Sequence, residues 1–149
     1  MFIVKRLCFL VSVMGLSLVA LGAKADDSER RAVMVPDAGT YSRSIATDVP
    51  EAQQFFDQGL RLAWGFYFPE SIASYQEASR LDPGNPMPYW GIAHAAGPNP
   101  NSRYARMPDD PQGAGLAAIE AAIERIDRAT PIEAKLIRAH QLTPSRVRV

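Results

Sequence analysis

Through the middle of the chain, apolar residues recur at intervals of three and four, the period of a helix with one buried side. No segment alternates with period two over a useful length. Between residues 55 and 66 the stripe consists of Phe55, Phe56, Leu60, Ala63 and Trp64. Ahead of it, Asp48 is placed to cap a helix, with Pro50 in the first turn and Glu51 three residues after the cap. The stretch from Tyr67 to Pro69 interrupts the pattern. Pro69-Glu70 then opens a second helix with Ile72, Tyr75 and Ala78 on one side. Asp82-Pro83-Gly84 stops it, because proline has no N–H and pushes the residue before it out of the α region. Pro86 and Pro88 suit the first turn of a third helix, predicted over residues 88–96 and closed by Gly97-Pro98. Asp110-Pro111 starts a fourth, with Leu116, Ile119, Ile123 and Ile126 on its apolar side. Thr130-Pro131-Ile132-Glu133 is a capping box that opens a fifth helix, which carries Leu136 and Ile137 and fades near Leu142. The predicted class is all-α.

Paired helices invite a search for an internal period. A shift of 34 residues carries Phe55, Gly59 and Leu62 onto Tyr89, Ala93 and Ala96, aromatic onto aromatic and small onto small. A shift of 48 carries Pro83 onto Pro131, and Ser71, Tyr75 and Ala78 onto Ile119, Ile123 and Ile126. The second unit is therefore the same two-helix design with a loop, residues 97–111, inserted between its helices.

Phe55-x-x-Gln58-Gly59-x-x-Leu62, followed by Ser71-x-x-x-Tyr75-x-x-Ala78 and Pro83, resembles a tetratricopeptide repeat. Gln58 stands where that pattern has leucine and Ser71 where it has alanine. The resemblance implies stacked antiparallel helix hairpins, a TPR-like α-solenoid, with a first repeat over 52–85 and a second over 86–130. Residues 131–142 would begin a third, so the array would be incomplete, and 143–149 would be a tail. The wording from Phe55 to Asn101 is also similar to the N-terminal part of longer exported bacterial tetratricopeptide proteins without a settled activity. A truncated or frame-shifted product is one expectation that follows.

The first 25 residues stand apart. Lys5 and Arg6 precede an uncharged apolar run over 7–20, and Ala23 and Ala25 sit where a signal peptidase reads small residues. That layout predicts export, with cleavage after Ala25 and a periplasmic or secreted product. An uncleaved anchor is the other reading, but a spanning helix needs roughly 20 apolar residues. The 16 Lys and Arg balance the 16 Asp and Glu over the whole chain. Losing Lys5, Arg6 and Lys24, with no acidic residue among 1–25, leaves an excess of three negative charges. No basic stripe remains to favour nucleic acid. The one cysteine, Cys8, goes with the leader, so the mature chain has neither disulfide nor thiol chemistry. Residues 26–47 are polar, broken by Pro36 and Gly39, and read as a flexible leader.

Catalytic chemistry has no foothold here. No His-x-x-x-His, Gly-x-Ser-x-Gly or glycine-rich phosphate loop occurs, so neither a catalytic centre, a metal nor a cofactor is expected. The candidates for contact with a partner are Trp64, Tyr89, Trp90 and His94, since aromatic residues of this kind are enriched at binding hot spots. The same aromatics serve equally as packing between repeats. Residues 97–111 are either a functional loop or a solvated spacer. The leading expectation is a non-enzymatic scaffold that binds a protein or peptide. The alternative is the scaffold part of a longer enzyme or ligand-binding protein whose active residues lie elsewhere.

Overall fold

The computed structural model describes residues 31–97, 107 and 109–141. Within them the chain is all-helical: α1 (Pro50–Trp64), α2 (Phe68–Leu81), α3 (Pro86–Ala96), α4 (Pro111–Glu124) and α5 (Pro131–Gln141), with a 3-10 turn at Ile126–Arg128. The cleavage motif of Ala23 and Ala25, the apolar run before it, most of the inserted loop and the C-terminal tail lie outside the described residues. Among the described residues no helix is long and apolar enough to cross a membrane.

The helix starts follow from local chemistry. Asn85 caps α3, its side chain accepting from the Met87 N–H at 2.9 Å. The helix therefore begins at Pro86, two residues before the predicted start. Pro86 and Pro88 cost it no bond, because the first N–H groups of a helix have no partner within it. Asp110 caps α4 as predicted, accepting from Gly113 N–H at 2.8 Å. The capping box of α5 is complete, with Glu133 N–H donating to Thr130 Oγ1 at 3.3 Å and Thr130 N–H donating to Glu133 at 2.7 Å. Asp48 does not cap α1. Val49 holds that position with no side-chain cap, and Thr47 Oγ1 accepts from the Val49 N–H instead.

Successive helices pack in chain order, α1 on α2 through to α4 on α5, and α3 also touches both α1 and α5. The odd-numbered helices thus share one side of the array. Phe55, Phe56, Phe68, Tyr75, Met87, Ile119 and Ile137 are all but completely buried, each contributing about 1.5–3 kcal/mol by removal from water. Tyr75 is the wedge of this core. Its ring lies 5.5 Å from that of Phe56 and faces a glycine on either side. A Cβ at Gly59 of α1 would come within 2.6 Å of the Tyr75 ring, and one at Gly91 of α3 within 2.5 Å. Both positions must be glycine for α1, α2 and α3 to close on the ring. Ser71, in place of the alanine of the repeat pattern, donates to the Gly59 carbonyl at 2.7 Å and so ties the same crossing.

Two apolar assignments change. Trp64 is 73% exposed and is the last residue of α1. Phe66 adopts φ 65°, and the Phe66 and Tyr67 N–H groups close on the carbonyls of Ala63 and Leu62. This is a helix ending that normally takes glycine at the position of Phe66. In α4 the buried line is Gly115, Ala118, Ile119 and Ala122, whereas Leu116 is 40% exposed. Small residues prevail because α3 approaches closely: a Cβ at Gly115 would touch Ala96 at 3.6 Å.

Candidate functional site

Of the four residues expected to meet a partner, two come together. Trp90 and His94, one helical turn apart on α3, stack with ring centroids 5.2 Å apart and an interplanar angle of 4°. His140 of α5 stands edge-on to both, at 6.5 Å from Trp90 and 6.2 Å from His94. The cluster belongs to the side shared by the odd-numbered helices. His94 keeps an exposed edge while the indole covers its face. Burial holds both imidazoles below the ordinary histidine pKa, and His140 presses His94 further in that direction. The Ala93 carbonyl, bonded to His140, pulls back only in part. Both rings are therefore neutral at neutral pH. The Trp90 Nε1–H is buried and has no acceptor among the described residues.

Trp64 and Tyr89 do not join this cluster. Trp64 projects from the end of α1. Tyr89 is taken up in packing: its hydroxyl donates to the Pro83 carbonyl at 3.1 Å, and Arg125 lies 4.4 Å over its ring while donating to the same carbonyl. Of the repeat residues, Phe55, Gly59, Tyr75 and Ala78 are buried, Leu62 is half-buried, and Pro83 is exposed with its carbonyl as the anchor just described.

A second assembly of side chains was not legible in the pattern. Residues 31–47, expected to be a flexible leader, form a strap that is hydrogen-bonded to α1, α2, the α2–α3 turn and the start of α5. The Gln58 carboxamide accepts from Val35 N–H at 2.7 Å and donates to the Val33 carbonyl at 2.9 Å. Gln53 does the same one turn earlier, accepting from Ile45 N–H and donating to the Arg43 carbonyl, both at 2.9 Å. Asp57 accepts from Arg43 N–H and Ser42 Oγ. Glu77 accepts from Arg31 N–H, Glu133 from Ala46 N–H, and Asn85 donates to the Ala46 carbonyl.

Asp57, Gln58, Glu77, Asn85 and Glu133 are each at most 5% exposed. A buried polar group without a partner costs about 1–3 kcal/mol, so the strap satisfies a demand that the helices themselves create. The polarity of a leader says nothing about whether acceptors await it, which is why composition alone points to flexibility. One signal was available: Gln58 sits where the repeat pattern places leucine, in the middle of an apolar stripe.

Among the described residues no group of three or more His, Cys, Asp and Glu is placed to hold a metal. The chain matches no protein-family model, no curated protein and no solved structure.

Proposed function

We propose that the chain is an exported helical-repeat scaffold of the tetratricopeptide type, which binds a protein or peptide and carries out no catalysis of its own. The repeat reading draws support from the packing order, in which each helix meets the next and α1, α3 and α5 share a side. It also draws support from Gly59 and Tyr75, which meet at the helix crossing where the repeat pattern puts a small and an aromatic residue. The observation that carries the binding reading is the Trp90–His94–His140 cluster, a half-exposed aromatic and imidazole surface on that shared side. Trp90 is the anchor and His94 its exposed edge, an arrangement of the kind that dominates binding energy at interfaces.

An array of immobilised random-sequence peptides, probed with the wild-type protein and with Trp90→Ala, tests this. Circular dichroism must first show the variant folded. The wild type should retain a subset of peptides that the variant loses. Equal retention by both would remove Trp90 from the binding surface.

A further inference from the structure

The strap bonds are directed almost entirely at main chain. Gln58 brackets the carbonyl of residue 33 and the N–H of residue 35, and Gln53 brackets the carbonyl of 43 and the N–H of 45. A carbonyl and the N–H two residues on share an edge where the intervening backbone is extended. Each carboxamide therefore takes the place of the N–H and C=O of one residue on a neighbouring strand. Many strap side chains contribute little in return: Val33 is 66% exposed, Met34 42%, Val35 44% and Tyr41 56%. The exceptions are Ile45, which is the strap's core residue, and the Ser42 and Thr47 hydroxyls, which donate to Asp57 and Asp82. Any extended polypeptide offers the same carbonyl and N–H pair, unless proline removes the donor.

We propose that this row of buried amides and carboxylates is a binding site for an extended polypeptide, read through its main chain, and that residues 31–47 occupy it in cis as a displaceable stand-in. The occupant in trans is a peptide read through its main chain at two bracketed stretches, which are joined by a turn like that at Asp37 and Gly39 and followed by one apolar residue in the place of Ile45. The site is separate from the Trp90 surface, so the two readings stand or fall independently. A cis occupant lowers the apparent affinity for a trans peptide by the fraction of time the site is open.

The test uses the full chain with Val35→Pro and Arg43→Pro, which delete two strap donors and leave the core residue Ile45 in place. A fluorescein-labelled peptide with the sequence of residues 31–47 should bind this variant at least tenfold more tightly than it binds wild type. A peptide with the residues of positions 31–35 shuffled among themselves and the remainder kept should bind comparably. A peptide carrying proline at the positions of Val35 and Ile45 should not bind. Adding Gln58→Leu to the variant should abolish binding. Absence of peptide binding by a folded variant would overturn the proposal, and binding of the native-order peptide alone would overturn main-chain reading. If the variant does not fold, hydrogen exchange on the wild type decides. Strap amides should exchange well ahead of those of α1 and α2, and exchange only at the rate of α1 would make the strap a fixed part of the fold.

Discussion

The α1–α2 hairpin and the α5 end meet the same difficulty, polar groups withdrawn from water, in opposite ways. Around the hairpin the buried polar groups include carboxylates and carboxamides. Each finds a partner in the strap, as Gln58 and Asp57 do. At the α5 end, beyond the Glu133 of its capping box, the withdrawn groups are imidazoles, which escape by remaining neutral, and an indole N–H without an acceptor among the described residues. The hairpin is also closed over by large side chains, with Phe55, Phe56 and Tyr75 at 0% exposure. On α5 the buried residues are Glu133 and Ile137, while Ile132 is 67% exposed. One region is held by many mutually dependent contacts and the other by few. Cooperativity should differ accordingly.

Phe55→Ala gives the largest expected effect, a loss of about 3–5 kcal/mol, enough to bring the whole chain near its unfolding limit. Ile137→Ala should instead release α5 while α1 to α3 stay protected, which hydrogen exchange by segment would reveal. If both variants raise exchange uniformly along the chain, the two regions form one cooperative unit and the contrast fails.

Next in size is Gly59→Leu, which forces a side chain against the Tyr75 ring and should cost about 1–3 kcal/mol. A thermal melt followed by circular dichroism reads it directly. An unchanged midpoint would mean that the crossing can open without penalty, against the close contact described for that glycine.

Thr130→Ala removes the hydroxyl half of the α5 capping box and should cost about 1 kcal/mol. On this comparison the loss should fall on α5 alone. Segment-resolved exchange should show α5 opening more often, with α2 unaffected.

The smallest effect is a pH dependence. The two histidines have lowered pKa values in the folded chain, so the unfolded chain binds protons more readily, at its ordinary value of about 6.5. Stability from their neutrality is complete above that pH and declines as the pH falls through it. Thermal midpoints measured between about pH 7.5 and 5.5, a window set around that ordinary value, should drop for the wild type. They should drop less for His94→Gln with His140→Gln. The same slope in both proteins would remove the two histidines as the source of the acid sensitivity.

The sequence by itself located the helix starts to within one or two residues, because those signals are local. Proline without a donor, Asp110 and Thr130 with acceptors for orphan N–H groups, and Gly97 after α3 act within four residues of themselves. It also determined that Phe55, Tyr75 and Ala78 lie inside, since a period of 3.6 assigns each to the apolar face of its helix; Gly59 was placed there by the resemblance to the repeat. Only the tertiary structure decided which periodic residues the neighbours cover. Trp64 and Leu116 obey the helical spacing of their stripes yet face outward, because burial depends on what packs opposite and not on spacing. The strap was likewise a tertiary decision. Its bonds span separations from 8 residues, at Ile45 and Gln53, to 87, at Ala46 and Glu133. A polar main chain becomes ordered only when distant side chains have been brought, already buried and lacking partners, to where it runs.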